Sequence, residues 1–215
     1  MIRKTPSVLA SLLLLVFSVQ ACAPVGLVLG AGAATGMAAY QERGVDGVAR
    51  DLRTSSYIFE VYARTNHLLL KDISIEVYEG RVLLVGQVTT QAMRAQAVRL
   101  AWTVDGTKDV INEIHVTQAG GLLDTARDAW ITTQLEAKLT FDDKVLAINY
   151  AIETVGGIIY LIGIAQNQEE LDRVKNQAKS ISYVRHIISH VRIKTPQPAQ
   201  QGSAQGPAVG PQSDP

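Results

Sequence analysis

An internal repeat limits what this chain can fold into more than any other feature. Gly80-Arg81-Val82-Leu83-Leu84-Val85-Gly86 is answered by Gly157-Ile158-Ile159-Tyr160-Leu161-Ile162-Gly163, 77 residues further on. The offset holds without a gap from Ala49-Arg50-Asp51, matched by Ala126-Arg127-Asp128, to Ile114-His115-Val116, matched by Val191-Arg192-Ile193. Two small units, not one large core, must therefore build the structure. They occupy residues 46–118 and 122–194, and Gly120-Gly121 leaves a linker of only a few residues, so the domains are expected to touch.

Each copy reads helix, strand, strand, helix, strand. In the first, the periodicity places helices over 48–64 and 90–104 and strands over 73–78, 81–88 and 109–117. Glu79-Gly80 is a hairpin turn, using glycine's tolerance of positive φ. In the second, a helix over 124–139 precedes strands over 149–155 and 158–165 joined through Gly156-Gly157, and 184–194 closes the sheet. Thr90 is an N-cap, and Asn167-Gln168-Glu169-Glu170 is a capping box. A core position should be apolar in both copies. Ile58 and Tyr62 pair with Leu135 and Leu139, and Ile75, Val82 and Leu84 with Ile152, Ile159 and Leu161. Ala97, Ala101 and Val104 pair with Val174, Ala178 and Ile181, and Val110, Ile114 and Val116 with Ile187, Val191 and Ile193. The fold class is α+β, a small three-stranded sheet packed by two helices on one face.

The ends have other roles. Arg3 and Lys4 followed by the apolar stretch 8–19 form an export signal over residues 1–21, too short for a stable span. It ends at Val19-Gln20-Ala21-Cys22, a lipobox pattern in which Cys22, the only cysteine, is the expected site of lipidation. An ordinary secretory signal is the alternative. Each buried methylene of an acyl chain contributes about 0.8 kcal/mol, so several chains hold a protein durably. Ala23 in place of aspartate favours the outer membrane, facing the periplasm. Residues 22–45 form a spacer rich in glycine and alanine, and 195–215 a Pro, Gln and Gly tract expected to be disordered. Twenty basic and twenty acidic residues leave no net charge, which argues against broad nucleic-acid binding.

The Gly80 to Gly86 strand, with Val104-Asp105-Gly106 followed by Val110-Ile111-Asn112, resembles the BON domain, an αββαβ module of exported bacterial proteins. Lipobox, spacer and paired modules together resemble the dual-BON outer-membrane lipoproteins of the DolP (YraP) group. The run from Ile73 to Gln87 and Trp130-Ile131-Thr132-Thr133 are similar to that group in particular. The resemblance covers residues 46–194 and implies binding of anionic phospholipid and a role in outer-membrane integrity, without catalysis. Tyr183-Val184 departs from the Gly-Val usual in the family, so the turn before the last strand is expected to differ.

Trp130 lies about 140° around its helix from the core direction of Ile131, Leu135 and Leu139. It points outward beside Thr133 and Ala137, either toward a membrane interface or against the first domain. Arg127 and Lys138 add headgroup contacts, worth about 1 kcal/mol each, which Asp128 and Glu136 oppose. Trp102, whose counterpart is Lys179, marks an inter-domain contact or a partner patch. Alternation places His186, His190, Arg192 and Lys194 on one side of the last strand, as a basic face for phosphates or a solvated one. Those histidines stand about 13 Å apart on a strand and cannot share a metal ion. Ser55-Ser56 lie on a helix, Asp142-Asp143 are adjacent, and His67 and His115 are isolated, so no enzyme, metal or cofactor site is expected. Two functions remain: a module docking anionic phospholipid, and a scaffold or chaperone-like accessory that binds outer-membrane assembly proteins.

Overall fold

The computed structural model describes residues 41–117 and 122–195. The export signal, Cys22, the spacer through residue 40, the linker glycines and the tail beyond 195 lie outside the described residues. The first module runs α1 (Gly44–Thr65), α2 (His67–Asp72), β1 (Ile73–Tyr78), β2 (Arg81–Val88), α3 (Gln91–Trp102) and β3 (Asp109–Val116). The second runs α4 (Leu122–Thr140), a 3-10 turn (Ala147–Asn149), β4 (Tyr150–Val155), β5 (Ile158–Ala165), α5 (Gln168–Lys179) and β6 (His186–Ile193). The periodicity did not reveal α2. Asn66 caps it, its side chain accepting from the Leu68 N–H at 3.2 Å, and it folds Leu69 into the core.

In each module the central strand pairs antiparallel with the strand before it and parallel with the last, the orders being β1-β2-β3 and β4-β5-β6. Thr90 accepts from the Met93 N–H and Asn167 from the Glu170 N–H, which fixes the starts of α3 and α5. Glu170 does not close a capping box. Its buried carboxylate accepts from the Leu146 and Gln166 N–H groups and ties the 3-10 region to the end of β5. One core gathers Ile58, Tyr62, Val82, Leu84, Ala97 and Ala101, the other Ile131, Leu135, Leu139, Ile159, Leu161 and Val174. Ile193 is a correction to the expected core: it is the last residue of β6, still paired with Ala165 but 41% exposed at the end of the sheet.

Two pairs of equivalent residues lock these modules. Asp51 accepts from the Glu79 and Gly80 N–H groups at 2.7 and 2.8 Å, and Asp128 from Gly156 and Gly157 at 2.7 Å each. One carboxylate on the first helix thus satisfies two N–H groups of each hairpin turn. Gly86 and Gly163 let the edge strand lie close. A Cβ at either would stand 2.1 Å from the Asp72 carbonyl oxygen or 2.0 Å from that of Asn149.

The sheet faces away from the helices are not solvated. They pack on each other, burying Tyr78, Leu83, Val85, Tyr160, Ile162 and Ile164 in a third core and giving four layers, helix-sheet-sheet-helix. Equivalent positions meet there. His190 Nε2 lies 2.8 Å from Glu113 Oε1, and those residues are 77 apart. Glu76 feels the charge of its own equivalent, Glu153. Such self-matching is the mark of an isologous, two-fold-like interface. Around it Arg192 pairs with Glu79, Lys194 Nζ with Glu42 at 2.9 Å, and the Arg81 guanidinium donates to the His190 carbonyl at 2.9 Å. Lys194 holds the Glu42 carboxyl below the usual carboxylate range.

The glutamate pair makes this interface sensitive to pH. Burial, then the charge of Glu153, pushes Glu76 up to about 7; Arg43 opposes the shift and Glu136 adds to it. Glu153 is raised as well, chiefly by burial, against the Ser74 hydroxyl and Thr154 N–H that favour its charge. A raised carboxyl binds its proton more tightly in the folded form. Its contribution is therefore most favourable below the ordinary carboxylate range and falls as pH rises, until Glu76 is ionised above about 7. Glu76→Gln, neutral throughout, should gain about 3 kcal/mol over the native chain at pH 8, or roughly 6–12 °C in Tm, and almost nothing at pH 4.5. Thermal unfolding at both values checks this; an equal effect at both would contradict it.

Candidate functional site

The outer side of α4 carries the candidate site. Ile131, Leu135 and Leu139 turn one side of this helix into the second core, and Trp130 is left 44% exposed on the other. Thr133 and Ala137 are exposed beside it, and Lys138 is partly exposed. Phe141, whose N–H still bonds the Ala137 carbonyl at 3.1 Å, stands 89% exposed at the end of the helix. Trp130, Ala137 and Phe141 lie within roughly 40° on the wheel, so an aromatic stands at each end of a ridge about 16 Å long. Phe141 was legible: it falls eleven residues, just over three turns, beyond Trp130. The helix runs to Thr140, one residue past the end expected at 139, and so brings Phe141 onto this face.

Tyr183 completes the cluster. Its ring meets Trp130 edge-on, with centroids 6.2 Å apart and planes at 73°, and the Arg127 guanidinium sits 5.2 Å over its face. Arg127 also pairs with Asp124 at 3.2 Å. The turn holding Tyr183 matches its first-module equivalent. Tyr183 has φ +68° where Gly106 has +94°, and Arg185 N–H bonds the Gly157 carbonyl at 2.8 Å just as Lys108 N–H bonds that of Gly80. The expected change in the turn is thus corrected to a change of side chain. A tyrosine held at positive φ costs on the order of 1–3 kcal/mol, which glycine avoids. The first module has Arg53, Arg64 and Gly106 where the second has Trp130, Phe141 and Tyr183.

The other sites expected from the sequence lie elsewhere. The basic face of β6 is not free. His190, Arg192 and Lys194 turn toward the first module and pair with Glu113, Glu79 and Glu42, while His186 is exposed with no such partner among the described residues. Alternation placed them correctly on the face away from the helices, and that face is the inter-domain side. His115 joins it, its Nε2 2.8 Å from the Tyr160 hydroxyl. Trp102 is 50% exposed at the end of α3 and lies outside the inter-domain apolar cluster. Asp142 receives both the Arg173 guanidinium and the Lys144 N–H, which ties the end of α4 to α5. No helix among the described residues is long and apolar enough to cross a membrane.

Fold and site together define a class of protein: paired αββαβ modules sharing a sheet-to-sheet core, with an exposed aromatic ridge on one of them. The BON domain family model matches residues 58–118 and 127–195, and the chain belongs to that family. An uncharacterized protein from the gshII 5' region of Anaplasma centrale is 40% identical over 129 residues, 60% of this chain and 85% of that protein. The osmotically-inducible protein Y of Escherichia coli is 32% identical over 125 residues, 57% of this chain and 62% of that one. The outer membrane lipoprotein DolP of Haemophilus influenzae is 32% identical over 111 residues, 52% of this chain and 57% of that one. The chain thus aligns with under two thirds of the length of the latter two.

Proposed function

We propose that this is a lipid-anchored protein of the bacterial envelope whose second module docks on anionic phospholipid and supports outer-membrane integrity. The observation that carries the reading is the one-sided aromatic cluster: Trp130, Phe141 and Tyr183 are exposed together in a module whose twin has arginines and a glycine there. An amphipathic ring at a headgroup interface gains from both its apolar body and its polar edge. Seating Trp130 and Phe141 contributes about 1.5–3 kcal/mol each, against about 1 kcal/mol for each of Arg127 and Lys138 near an anionic surface. Insertion therefore dominates, with charge selecting the headgroup. Likeness to an outer membrane lipoprotein and the lipobox at Cys22 support the location, and tethering makes weak docking sufficient.

The test uses a chain starting at Gln41, which lacks the anchor but retains Glu42 and Arg43, both bonded to the folded modules. It should co-sediment with phosphatidylglycerol vesicles and leave phosphatidylcholine vesicles largely unbound. Trp130→Glu and Phe141→Glu should each lower the partition at least about tenfold, equivalent to 1.4 kcal/mol, while Trp102→Glu should not. Undiminished binding by Trp130→Glu would show that the site lies elsewhere. If the native chain ignores all vesicles, the phospholipid reading fails.

A further inference from the structure

The first module exposes an apolar seam that the lipid reading does not use. On α1, Val45, Ala49, Leu52, Ser56, Phe59 and Ala63 recur at alternating steps of four and three, the heptad spacing of a helix-pairing seam. All six are exposed, Val45, Leu52 and Phe59 by 42%, 50% and 57%, while the buried side of the same helix is Asp51, Thr54, Ile58 and Tyr62. Large and small residues alternate along the seam. The second module has no such pattern, with Ala129 and Glu136 in place of Leu52 and Phe59.

The geometry points to a second copy of this chain as the occupant, its α1 laid antiparallel on this one. Antiparallel pairing sets each large residue against a small one: Leu52 against Ala63 of the other chain, and Phe59 against Ser56, each contact made twice by symmetry. The same register places Arg53 beside Glu60 of the other chain, between those two layers, again twice. The Ser56 hydroxyl is already bonded to the Leu52 carbonyl at 2.8 Å, so its burial leaves no donor unpaired. Glu60 has Arg64 as its partner within the helix, whereas Arg53 has no ion pair among the described residues. The alternating notches suit the knobs of another helix better than a lipid surface, which offers none. About 16 shared residues make a contact about 24 Å long, so the dimer is a weak one.

Sedimentation equilibrium of the full chain, in density-matched detergent with reductant to keep Cys22 from linking chains, tests this. A monomer–dimer equilibrium with a Kd of about 100 µM is expected for a contact of this size. Leu52→Glu and Phe59→Glu should weaken it at least about tenfold with the Tm unchanged, since both side chains are exposed in the monomer. Arg53→Glu should weaken it, and adding Glu60→Arg should restore it. The proposal is overturned if the native chain is monomeric at every load, if Leu52→Glu and Phe59→Glu leave the mass unchanged, or if the charge exchange fails to restore association. Loss of vesicle binding by Leu52→Glu at unchanged mass would instead assign the seam to lipid.

Discussion

Asp51→Ala is expected to cost about 3–5 kcal/mol, because it strands three charged or polar partners in a buried turn. Asp51 is 5% exposed and accepts from the Glu79 and Gly80 N–H groups and from Arg43 at 2.6 Å. Without it, Arg43 keeps a bond to the Val77 carbonyl and its place over the Tyr78 ring at 4.4 Å, but loses its ion-pair partner. The two N–H groups keep none of those bonds. For a protein of this size the loss corresponds to roughly 6–20 °C in Tm. Asp51→Asn, which retains one acceptor oxygen, should lose less. Thermal unfolding of both variants decides the matter: an alanine variant within about 1 kcal/mol of the native chain would mean that water replaces the carboxylate freely.

Gly163→Ala should be about as damaging, for a steric reason. The methyl carbon would stand 2.0 Å from the Asn149 carbonyl oxygen and 3.1 Å from Tyr150 Cα, both backbone atoms that no side-chain rotation can move. The residue's φ of +150° adds conformational strain for any L side chain. Relief requires β4 to shift away from β5, opening both the second core and the inter-domain core. A loss of about 3–5 kcal/mol follows from overpacking and strain together. Gly86→Ala meets the same obstacle at Asp72 and should behave alike. A near-native Tm for both variants would contradict the close approach of the edge strands.

The repeat carried most of the fold because comparing two copies cancels local noise. Positions apolar in both copies mark the core, which located Tyr62, Leu84, Leu135 and Leu161 correctly and failed at Ile193. The shared core follows from a different signal. Alternation predicts one wet sheet face, yet the central strands are apolar at successive positions, Val82 to Val85 and Ile158 to Ile162. Continuous apolar runs mark strands buried on both faces. That signal was present and pointed to the four-layer stack. Read that way, the glutamates and cations flanking those strands become inter-domain partners, and the basic stripe of β6 loses its claim on phosphates.

The candidate site was partly legible. Trp130 stood out because its helix has an unambiguous core side. Tyr183 was visible only as a departure from glycine, since nothing local says that a turn will keep its shape with a tyrosine at positive φ. The surrounding bonds, from Arg185 to Gly157 and from Asp128 to both turn glycines, over-determine that turn. Phe141 lay one residue beyond a helix end that capping signals do not mark.

The most direct test follows Trp130 itself into the membrane. In a chain starting at Gln41 with Trp102→Phe, Trp130 is the only tryptophan. Its emission should shift to shorter wavelength and be quenched when phosphatidylglycerol vesicles carrying brominated acyl chains are added, with little change for brominated phosphatidylcholine. Emission that stays unquenched while the protein co-sediments with those vesicles would contradict docking through the aromatic ridge of the second module.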